Sequence, residues 1–344
     1  MDINANAAPV TPLPTYGFDG ASLTRDDNIS LWREAMTPLF LIEPGTRDEA
    51  PGFETSVVTR PVDQAVFGDA TSEAQKFVRD ARTVASTGID HLLVQLYQRG
   101  GYRGETSRGQ IAVRSGDISV LDLGQTFTTK AEKFSCLSLM IPRSMIEPMV
   151  SDVGALHGTV LRRESPVTRL LSHHLVGLNA ILPTASEADT ADLLNITVGA
   201  VRRSLLLPFP SDVRGGLSLL ARARALIDQN VHDPNFGVAA LVQLSGMSRA
   251  SLYRLFEPIG GVANEIRERR LRGAARDLLD PQKGHSIAAI AYRWGFSHPT
   301  SFTRAFVDRY QCTPTEARAA GQMPSTSNVT ERSNLLHNWL SKHR

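Results

Sequence analysis

A segment that occurs twice near the C-terminus constrains this chain more than any other feature. The stretch "SGMSRASLYRLF" begins at Ser245, and a similar stretch, "WGFSHPTSFTRAF", begins at Trp294. Gly246 and Gly295 align, and the apolar tetrads "VAAL" and "IAAI" precede them at equal distances. One residue is inserted after the second serine, and the later matches pair Leu252 with Phe302, Arg254 with Arg304, and Phe256 with Phe306. The agreement over about twenty positions predicts one small unit present in two copies.

Each copy is typical of a helix, a tight turn and a second helix. Glycine after the first helix adopts the left-handed turn conformation without steric cost. A serine follows, Ser248 in the first copy and Ser297 in the second, where a hydroxyl can cap the next helix. We therefore predict two helix-turn-helix units, at residues 237–257 and 286–307.

The spacing of apolar residues in each second helix separates a buried face from an outward face. The predicted buried residues are Leu252, Leu255, Phe256, Phe302, Ala305 and Phe306. The predicted outward residues are Arg249, Ala250, Tyr253 and Arg254 in the first unit, and Pro299, Thr300, Thr303 and Arg304 in the second. Arginine can bond two guanine acceptors and threonine can contact thymine methyl groups or phosphates, so these faces suit the DNA major groove.

The alternative is a helical bundle whose arginines are merely solvated. The duplication, and five arginines between Arg267 and Arg276, favour DNA. The net charge is only +2, but residues 216–320 hold 14 Lys and Arg against 9 Asp and Glu, a charge of +5. The remainder holds 23 against 26, or −3, so the C-terminal part is the one expected to face a polyanion.

An apolar stripe between the copies predicts one helix that holds the two units at a fixed separation. The stripe consists of Leu271, Ala274, Ala275, Leu278 and Leu279. If both units read one face of a duplex, their second helices should lie about 34 Å apart. "TPTE", residues 313–316, is a capping box that begins a closing helix.

The N-terminal half carries short alternating runs separated by turn residues. Examples are "HLLVQLYQ" from His91, "DISVLDLG" from Asp117 and "CLSLMI" from Cys136. Runs of this length predict an antiparallel sandwich or small barrel over about residues 50–145. Two stripes follow at helical spacing, Leu170, Leu171, Leu175, Leu178 and Leu182, then Leu194, Val198, Val201 and Leu205, and they predict two amphipathic helices.

These patterns divide the chain into segments. We expect a flexible polar leader at 1–30, a domain of strands and two helices at 31–206, a Pro- and Gly-rich linker at 207–216, a DNA-binding domain at 217–320 and a polar tail at 321–344. The fold class is α+β, with a β-sandwich domain followed by an all-α domain. Two cysteines far apart in sequence, no secretory signal and no long apolar run predict a cytoplasmic protein without a membrane span.

Motifs for catalysis are absent from the sequence. There is no His-x-His pair, phosphate-binding loop, dinucleotide-binding glycine pattern or G-x-S-x-G elbow. Metal enzymes built on small β-barrels need clustered His and carboxylate ligands, and His91 alone lies in the strand region. We therefore predict neither a cofactor nor a metal site, and a protein that is not an enzyme.

Residues 217–320 resemble the DNA-binding domain of the AraC/XylS family of bacterial transcription regulators. The resemblance is carried by "RRLRGAARDLL", "SIAAIAYRWGFSHPTSFTRAF" and "CTPTEAR". It implies that the outward residues named above contact DNA, foremost Arg254 and Arg304. Departures from the family pattern at Val242, Gly273, Gln311 and Ala317 are interpreted as drift in packing.

The N-terminal part resembles the cupin-like regulatory domains of the same family, through "LWREAMTPLF", "RSGDISVLDLG" and "LMIPRSMI". This resemblance implies a small-molecule effector bound inside the sheet domain, and a homodimer formed through the two helices after the sheet. For the apolar stripes of those helices, packing against their own sheet is the alternative.

The sequence-based hypothesis is a ligand-responsive activator that binds promoter DNA in the major groove as a dimer and contacts RNA polymerase. One alternative keeps DNA binding but gives the N-terminal domain only dimerisation or a protein partner. Another is a sheet domain that turns over its own ligand, which the missing metal ligands disfavour. The identity of any effector is left unknown.

Overall fold

The computed structural model describes residues 12–46, 48, 52–146, 153–206, 211–257, 260–279 and 284–322. Residues 1–11 of the predicted leader and residues 323–344 of the predicted tail lie outside this part of the chain. The leader was predicted too long, because structure begins well before residue 31. Leu13 is buried in the core, and the first strand pairs with a later strand through residues 16–19.

Twelve strands form two antiparallel sheets in the described part of the N-terminal domain. They are β1 Tyr16–Asp19, β2 Leu41–Pro44, β3 Ser56–Val62, β4 Ala65–Ser72, β5 Gln75–Arg79, β6 Leu92–Arg99, β7 Tyr102–Thr106, β8 Gly109–Val113, β9 Ile118–Asp122, β10 Phe127–Ala131, β11 Phe134–Ile141 and β12 Thr159–Leu161. One sheet has the order β1-β3-β4-β11-β6-β9-β12 and the other β2-β5-β10-β7-β8. The predicted sandwich is confirmed, although it extends beyond residues 50–145 at both ends.

The described helices run from the first domain into the second. They are α1 Arg25–Met36, α2 Ala81–Thr87, α3 Arg143–Ile146, α4 Pro166–Ile181, α5 Thr190–Leu206, α6 Ser211–Asn230, α7 Val238–Ser245, α8 Arg249–Phe256, α9 Val262–Leu279, α10 Ile287–Arg293, α11 Pro299–Tyr310 and α12 Pro314–Gln322. The predicted linker at 207–216 differs in part, because α6 begins at Ser211 and includes both glycines of "RGG".

Strand β6 shows why the larger sheet is buried on both faces. Its even-numbered residues Leu92, Val94 and Leu96 join a cluster with the leucines of α4 and α5. Leu93 and Tyr97, on the opposite face, join an aromatic cluster between the two sheets. Alternate side chains of a strand point to opposite faces, so one strand contributes to two cores.

The apolar stripes of α4 and α5 pack against their own sheet. Leu171, Leu175, Leu194 and Val198 are all buried in the cluster that contains Leu139 of β11. The reading of these stripes as a dimer interface is therefore wrong, and the alternative packing is the one present. Leu170 was predicted in the stripe, but it is 72% exposed on the outer face of α4.

Arg79 connects three segments inside the regulatory domain. Its guanidinium is fully buried and donates to the carbonyl oxygens of Leu39, Leu123 and Ile89 at 2.6, 2.6 and 3.0 Å. Burial lowers the pKa of Arg79 to about 9, against the opposing effect of nearby carboxylates, foremost Asp122. These bonds hold the end of α2 in place, and α2 is the helix that touches the second domain.

Helix α2 joins the core of the C-terminal domain. Val84 and Ala85 are buried in one cluster with residues of α9, α10, α11 and α12. Gly88, at the end of α2, is so close to α9 that an added Cβ would lie 2.8 Å from Leu279 Cδ1. Ala317 of α12 is buried in the same cluster, so the small residue interpreted as drift lies where the two domains meet.

Gly273 is required by contact rather than tolerated as drift. It lies within α9, and a Cβ placed there would be 2.0 Å from Cη2 of Trp294. The indole nitrogen of Trp294 donates to Asp277 Oδ2 at 2.9 Å, which holds the ring across the helix. The absent side chain therefore makes room for the tryptophan, and the sequence pattern did not reveal this.

We expect Gly273→Ala to destabilise the protein by about 1–3 kcal/mol, because the tryptophan ring or the helix has to move. Gly199→Ala is the matched control, since Gly199 also lies within a helix but has no atom within 4 Å of its would-be Cβ. There alanine should stabilise by about 0.5–1 kcal/mol through helix propensity. Urea unfolding measures both, and a Gly273→Ala protein as stable as wild type would contradict the contact.

Candidate nucleic-acid interface

The first helix-turn-helix unit has the predicted local geometry. Helix α7 ends at Gly246, which adopts the left-handed conformation with φ 68°. Ser248 caps α8, and its Oγ accepts from the backbone nitrogen of Ser251 at 3.1 Å. Leu252 and Phe256 are fully buried, which fixes the side of α8 that faces the core.

The outward face of α8 presents the four residues predicted from the sequence. Arg249, Ala250, Tyr253 and Arg254 are all exposed. The Arg249 guanidinium lies 5.9 Å from the centre of the Tyr253 ring, a distance at which cation and ring attract each other. The face therefore offers two guanidinium groups and an aromatic hydroxyl to solvent.

The second unit differs from the prediction at its cap. Gly295 adopts the left-handed conformation with φ 69°, as expected. Helix α11 begins at Pro299, so His298 and not Ser297 occupies the N-cap position, and the His298 side chain forms no capping bond. The residue inserted after the serine moves the start of the helix by one position. Proline suits the first position of a helix, because a backbone N–H there would have no acceptor within the helix and its absence costs no hydrogen bond.

Helix α11 separates its faces as predicted. Phe302, Ala305 and Phe306 are buried. Thr300 and Arg304 are exposed, and Thr303 is half-buried. The second outward face thus has one guanidinium and two hydroxyls, and its chemistry differs from that of α8.

Helix α9 contacts both units, as the apolar stripe predicted. Its first turns place Val262 and Ile266 in the cluster of α6, α7 and α8. Its last turns place Leu271, Ala274 and Leu278 in the cluster of α10 and α11. One continuous helix therefore contributes to both small cores and sets the relative placement of α8 and α11.

An ion network that sequence reasoning missed attaches α9 to α6. Glu265 Oε1 accepts from Arg224 Nε and Arg269 Nε, both at 2.9 Å, and Arg269 also pairs with Asp228. Burial alone would raise the pKa of Glu265, but the charges of Arg224, Arg272 and Arg269 lower it to about 2. The i,i+4 spacing of Glu265 and Arg269 was visible in sequence, whereas the partners on α6 were not.

The closing helix α12 starts with the predicted capping box. The backbone nitrogen of Thr313 donates to Glu316 Oε2 at 2.8 Å, and the Glu316 nitrogen donates to Thr313 Oγ1 at 3.2 Å. Just before it, Gln311, one of the departures from the family pattern, adopts the left-handed conformation with φ 56°. The turn before α12 therefore forms with a glutamine in a backbone conformation that favours glycine.

Arg309 of α11 joins the second unit to both its neighbours. Its Nε donates to Glu268 of α9 at 2.8 Å, and its Nη2 donates to the carbonyl of Gly124 in the regulatory domain at 3.1 Å. The Arg309 guanidinium therefore forms bonds within the protein. This arginine lies on the side of α11 away from the predicted DNA contacts.

The described residues contain no group of three or more His, Cys, Asp or Glu side chains placed to hold a metal ion. Within the same part of the chain, every helix is too short or too polar to cross a bilayer. The C-terminal domain presents two solvent-facing polar helix surfaces, on α8 and α11, and α9 packs beneath both.

Comparison with known proteins agrees with this geometry. Residues 241–320 match a helix-turn-helix domain family, and residues 32–207 match the AraC-binding-like domain family. The probable transcription factor PqrA of Proteus vulgaris is 36% identical over 91 residues, which cover 26% of this chain and 73% of PqrA. The transcriptional activator NphR of Rhodococcus sp is 22% identical over 263 residues, which cover 74% of this chain and 78% of NphR.

Among solved structures, the AraC-like transcriptional activator CuxR has the same fold. The two structures superpose with a TM-score of 0.53 at 22% identity, over 76% of this chain and 95% of CuxR. The regulatory-domain match spans more than half of the chain, and the double helix-turn-helix follows it. The chain therefore belongs to the AraC family of DNA-binding transcriptional regulators.

Proposed function

We propose that the chain activates transcription by placing α8 and α11 in successive major grooves of promoter DNA. The observation that carries this is the pair of exposed polar helix faces, each opposite a buried apolar face, on the single frame of α9. The base or phosphate contacts would come from Arg249, Ala250, Tyr253 and Arg254, then Thr300, Thr303 and Arg304.

Activation, rather than repression, is supported by the relative NphR, which is named a transcriptional activator. An activator of this kind would also contact RNA polymerase at the promoter. Since promoter DNA and polymerase share one compartment in bacteria, we place the protein in the cytoplasm. The different chemistry of the α8 and α11 faces implies that the two grooves carry different base steps, so a half-site would not itself be a repeat.

For Arg254→Ala and Arg304→Ala we expect a loss of about 1–3 kcal/mol in operator binding, together with altered base preference if these arginines read bases. Gel shifts at several salt concentrations measure both affinity and salt slope. Arg99→Ala is the matched control, because Arg99 is exposed in the regulatory domain. Unchanged affinity and salt slope in both recognition-helix variants would show that these residues are not the contacts.

A small-molecule effector is proposed for the interior of the sandwich. A cavity of about 50 Å³ lies between the sheets, with Trp32, Phe40, Tyr97 and Phe134 among its lining residues. Its volume is near that of one or two waters, far below the roughly 300–1,000 Å³ of ligand sites. An effector would therefore displace flexible side chains such as Met36, and the aromatic lining favours an apolar, ring-bearing compound.

The adjacent residues Thr128 and Thr129 provide a test of this cavity. Thr129 lines the cavity, and Thr128 points to the other face of β10. In a thermal-shift screen of the full chain with benzoate, phenylacetate and indole, a compound that stabilises wild type should stabilise Thr128→Leu equally and Thr129→Leu much less. Equal stabilisation of both variants would argue against an effector in the sandwich. So would a screen in which no compound stabilises the wild-type protein.

A homodimer is proposed through the outer face of α4 and α5, not through their buried stripes. Leu170 and Ile196 are 72% and 62% exposed, and Ile181 is 50% exposed. Leu170 and Ile181 lie about three helical turns apart on one side of α4. Large apolar side chains left exposed on the helices of a regulator are typical of a protein interface.

We expect Leu170→Glu and Ile196→Glu each to convert the dimer to a monomer in sedimentation velocity, because a carboxylate would be buried without a partner. Val176→Glu is the matched control, since Val176 is exposed on α4 but points about 120° away from Leu170 around the helix axis. A wild-type protein that is monomeric at micromolar concentration, or variants that remain dimeric, would exclude this interface.

A further inference from the structure

A polar cavity of about 470 Å³ lies where the regulatory and DNA-binding domains meet. The regulatory domain contributes Asp90 and His91, which precede β6, and Arg143 and Ser144 of α3. The other wall consists of α9, the end of α6 and Trp294. The volume falls within the range of small-molecule sites, unlike the nearly filled interior of the sandwich.

Positive charge dominates the wall of this cavity. Four arginines line it, Arg143 from the regulatory domain and Arg269, Arg272 and Arg276 from α9. Two aspartates, Asp90 and Asp228, also line it. The lining itself therefore holds four arginines and two carboxylates.

Two of the four arginines are occupied by internal partners. Arg143 pairs with the buried carboxylate of Asp122, and Arg269 pairs with Glu265 and Asp228. Arg272 and Arg276, one turn apart on α9, line the cavity without a hydrogen bond to another described residue, although the charge of Arg276 lowers the pKa of nearby Asp90. Both arginines are half-buried as whole residues, and both line the cavity.

Arg272 lies close to two other arginines, Arg143 and Arg269. Burial lowers the pKa of Arg272, and the charges of Arg143 and Arg269 lower it further, against the opposing effects of Glu265 and Asp122. Cations kept close together without enough counter-charge destabilise one another. An anion at this place would relieve that repulsion and satisfy guanidinium donors that now have no protein acceptor.

We propose that this cavity binds a small organic dianion, a dicarboxylate or phosphate monoester, held by Arg272 and Arg276 of α9 together with Arg143 of the regulatory domain. Guanidinium groups match the paired oxygens of carboxylates and phosphates. The remaining space beside Trp294 would take the carbon skeleton of the ligand.

Such a ligand would couple the two domains. It contacts both walls, so it would stabilise the arrangement in which α2 packs against α9, α11 and α12 and change how α8 and α11 are presented. Any effect on operator affinity would be matched by an equal effect of operator on anion affinity. The binding itself does not depend on the proposed DNA contacts or on an effector in the sandwich.

Calorimetric titration of the full chain, without DNA, tests the proposal with succinate and glycerol 3-phosphate as probes at constant ionic strength. Glycerol and choline are the neutral and cationic controls. At least one dianion should bind wild type, and Arg272→Gln and Arg276→Gln should each weaken it about tenfold or more, as expected for a charge-assisted bond. Arg267→Gln removes an exposed arginine of the same helix and should leave binding unchanged.

A second kind of variant tests the proposal even if the arginine variants do not fold. Circular dichroism would reveal such a loss of folding. Ser144 is exposed and lines the cavity, so Ser144→Glu should leave the fold intact and weaken the dianion by repulsion. The proposal is overturned if neither dianion binds wild type at millimolar concentration, if Arg267→Gln weakens binding as much as Arg272→Gln, or if Ser144→Glu has no effect. Separate gel shifts with the operator distinguish failure here from failure of the DNA contacts.

Discussion

The packing of α9 against both helix-turn-helix units is the constraint on which the C-terminal half depends. Its first turns fill the core below α8, and its last turns fill the core below α11. Each unit alone is too small to bury a stable core, so the shared helix supplies apolar surface to both. The same continuity sets the separation of the two outward faces, because a helix of this length bends little.

Packed side chains and a hydrogen bond connect the regulatory domain to the second helix-turn-helix unit. Arg79 holds the end of α2 by bonds to three carbonyl groups, and α2 inserts Val84 and Ala85 into the core of the second unit. Arg309 adds a bond from α11 to the regulatory domain. A change in the sandwich that moved α2 would therefore reach α11 through packed side chains, since close-packed cores transmit displacement.

Sequence reasoning succeeded where local rules decide the structure. The glycine turns, the Ser248 cap, the buried and outward faces of α8 and α11, and the capping box at Thr313 all depend on residues within one or two turns of each other. It failed at Ser297, where one inserted residue moved the cap to His298, and at residues 12–30, whose polar composition hid a paired strand. The interpretation of Gly273 as drift in packing was wrong, because the ring that requires a glycine there comes from Trp294, 21 residues later.

The sequence by itself determined the two-domain order, the duplicated unit and the identity of the residues on its outward faces. These features depend on hydrophobic periodicity and turn residues, which involve positions close together in the chain. Only the tertiary structure decided that the stripes of α4 and α5 cover their own sheet, that Glu265 joins α9 to α6, and that arginines of α9 and α3 line one cavity. Those outcomes depend on which surfaces meet after folding. Amphipathic spacing indicates that a face is buried without indicating its partner, and charge spacing along one helix does not reveal the charges of the element packed against it.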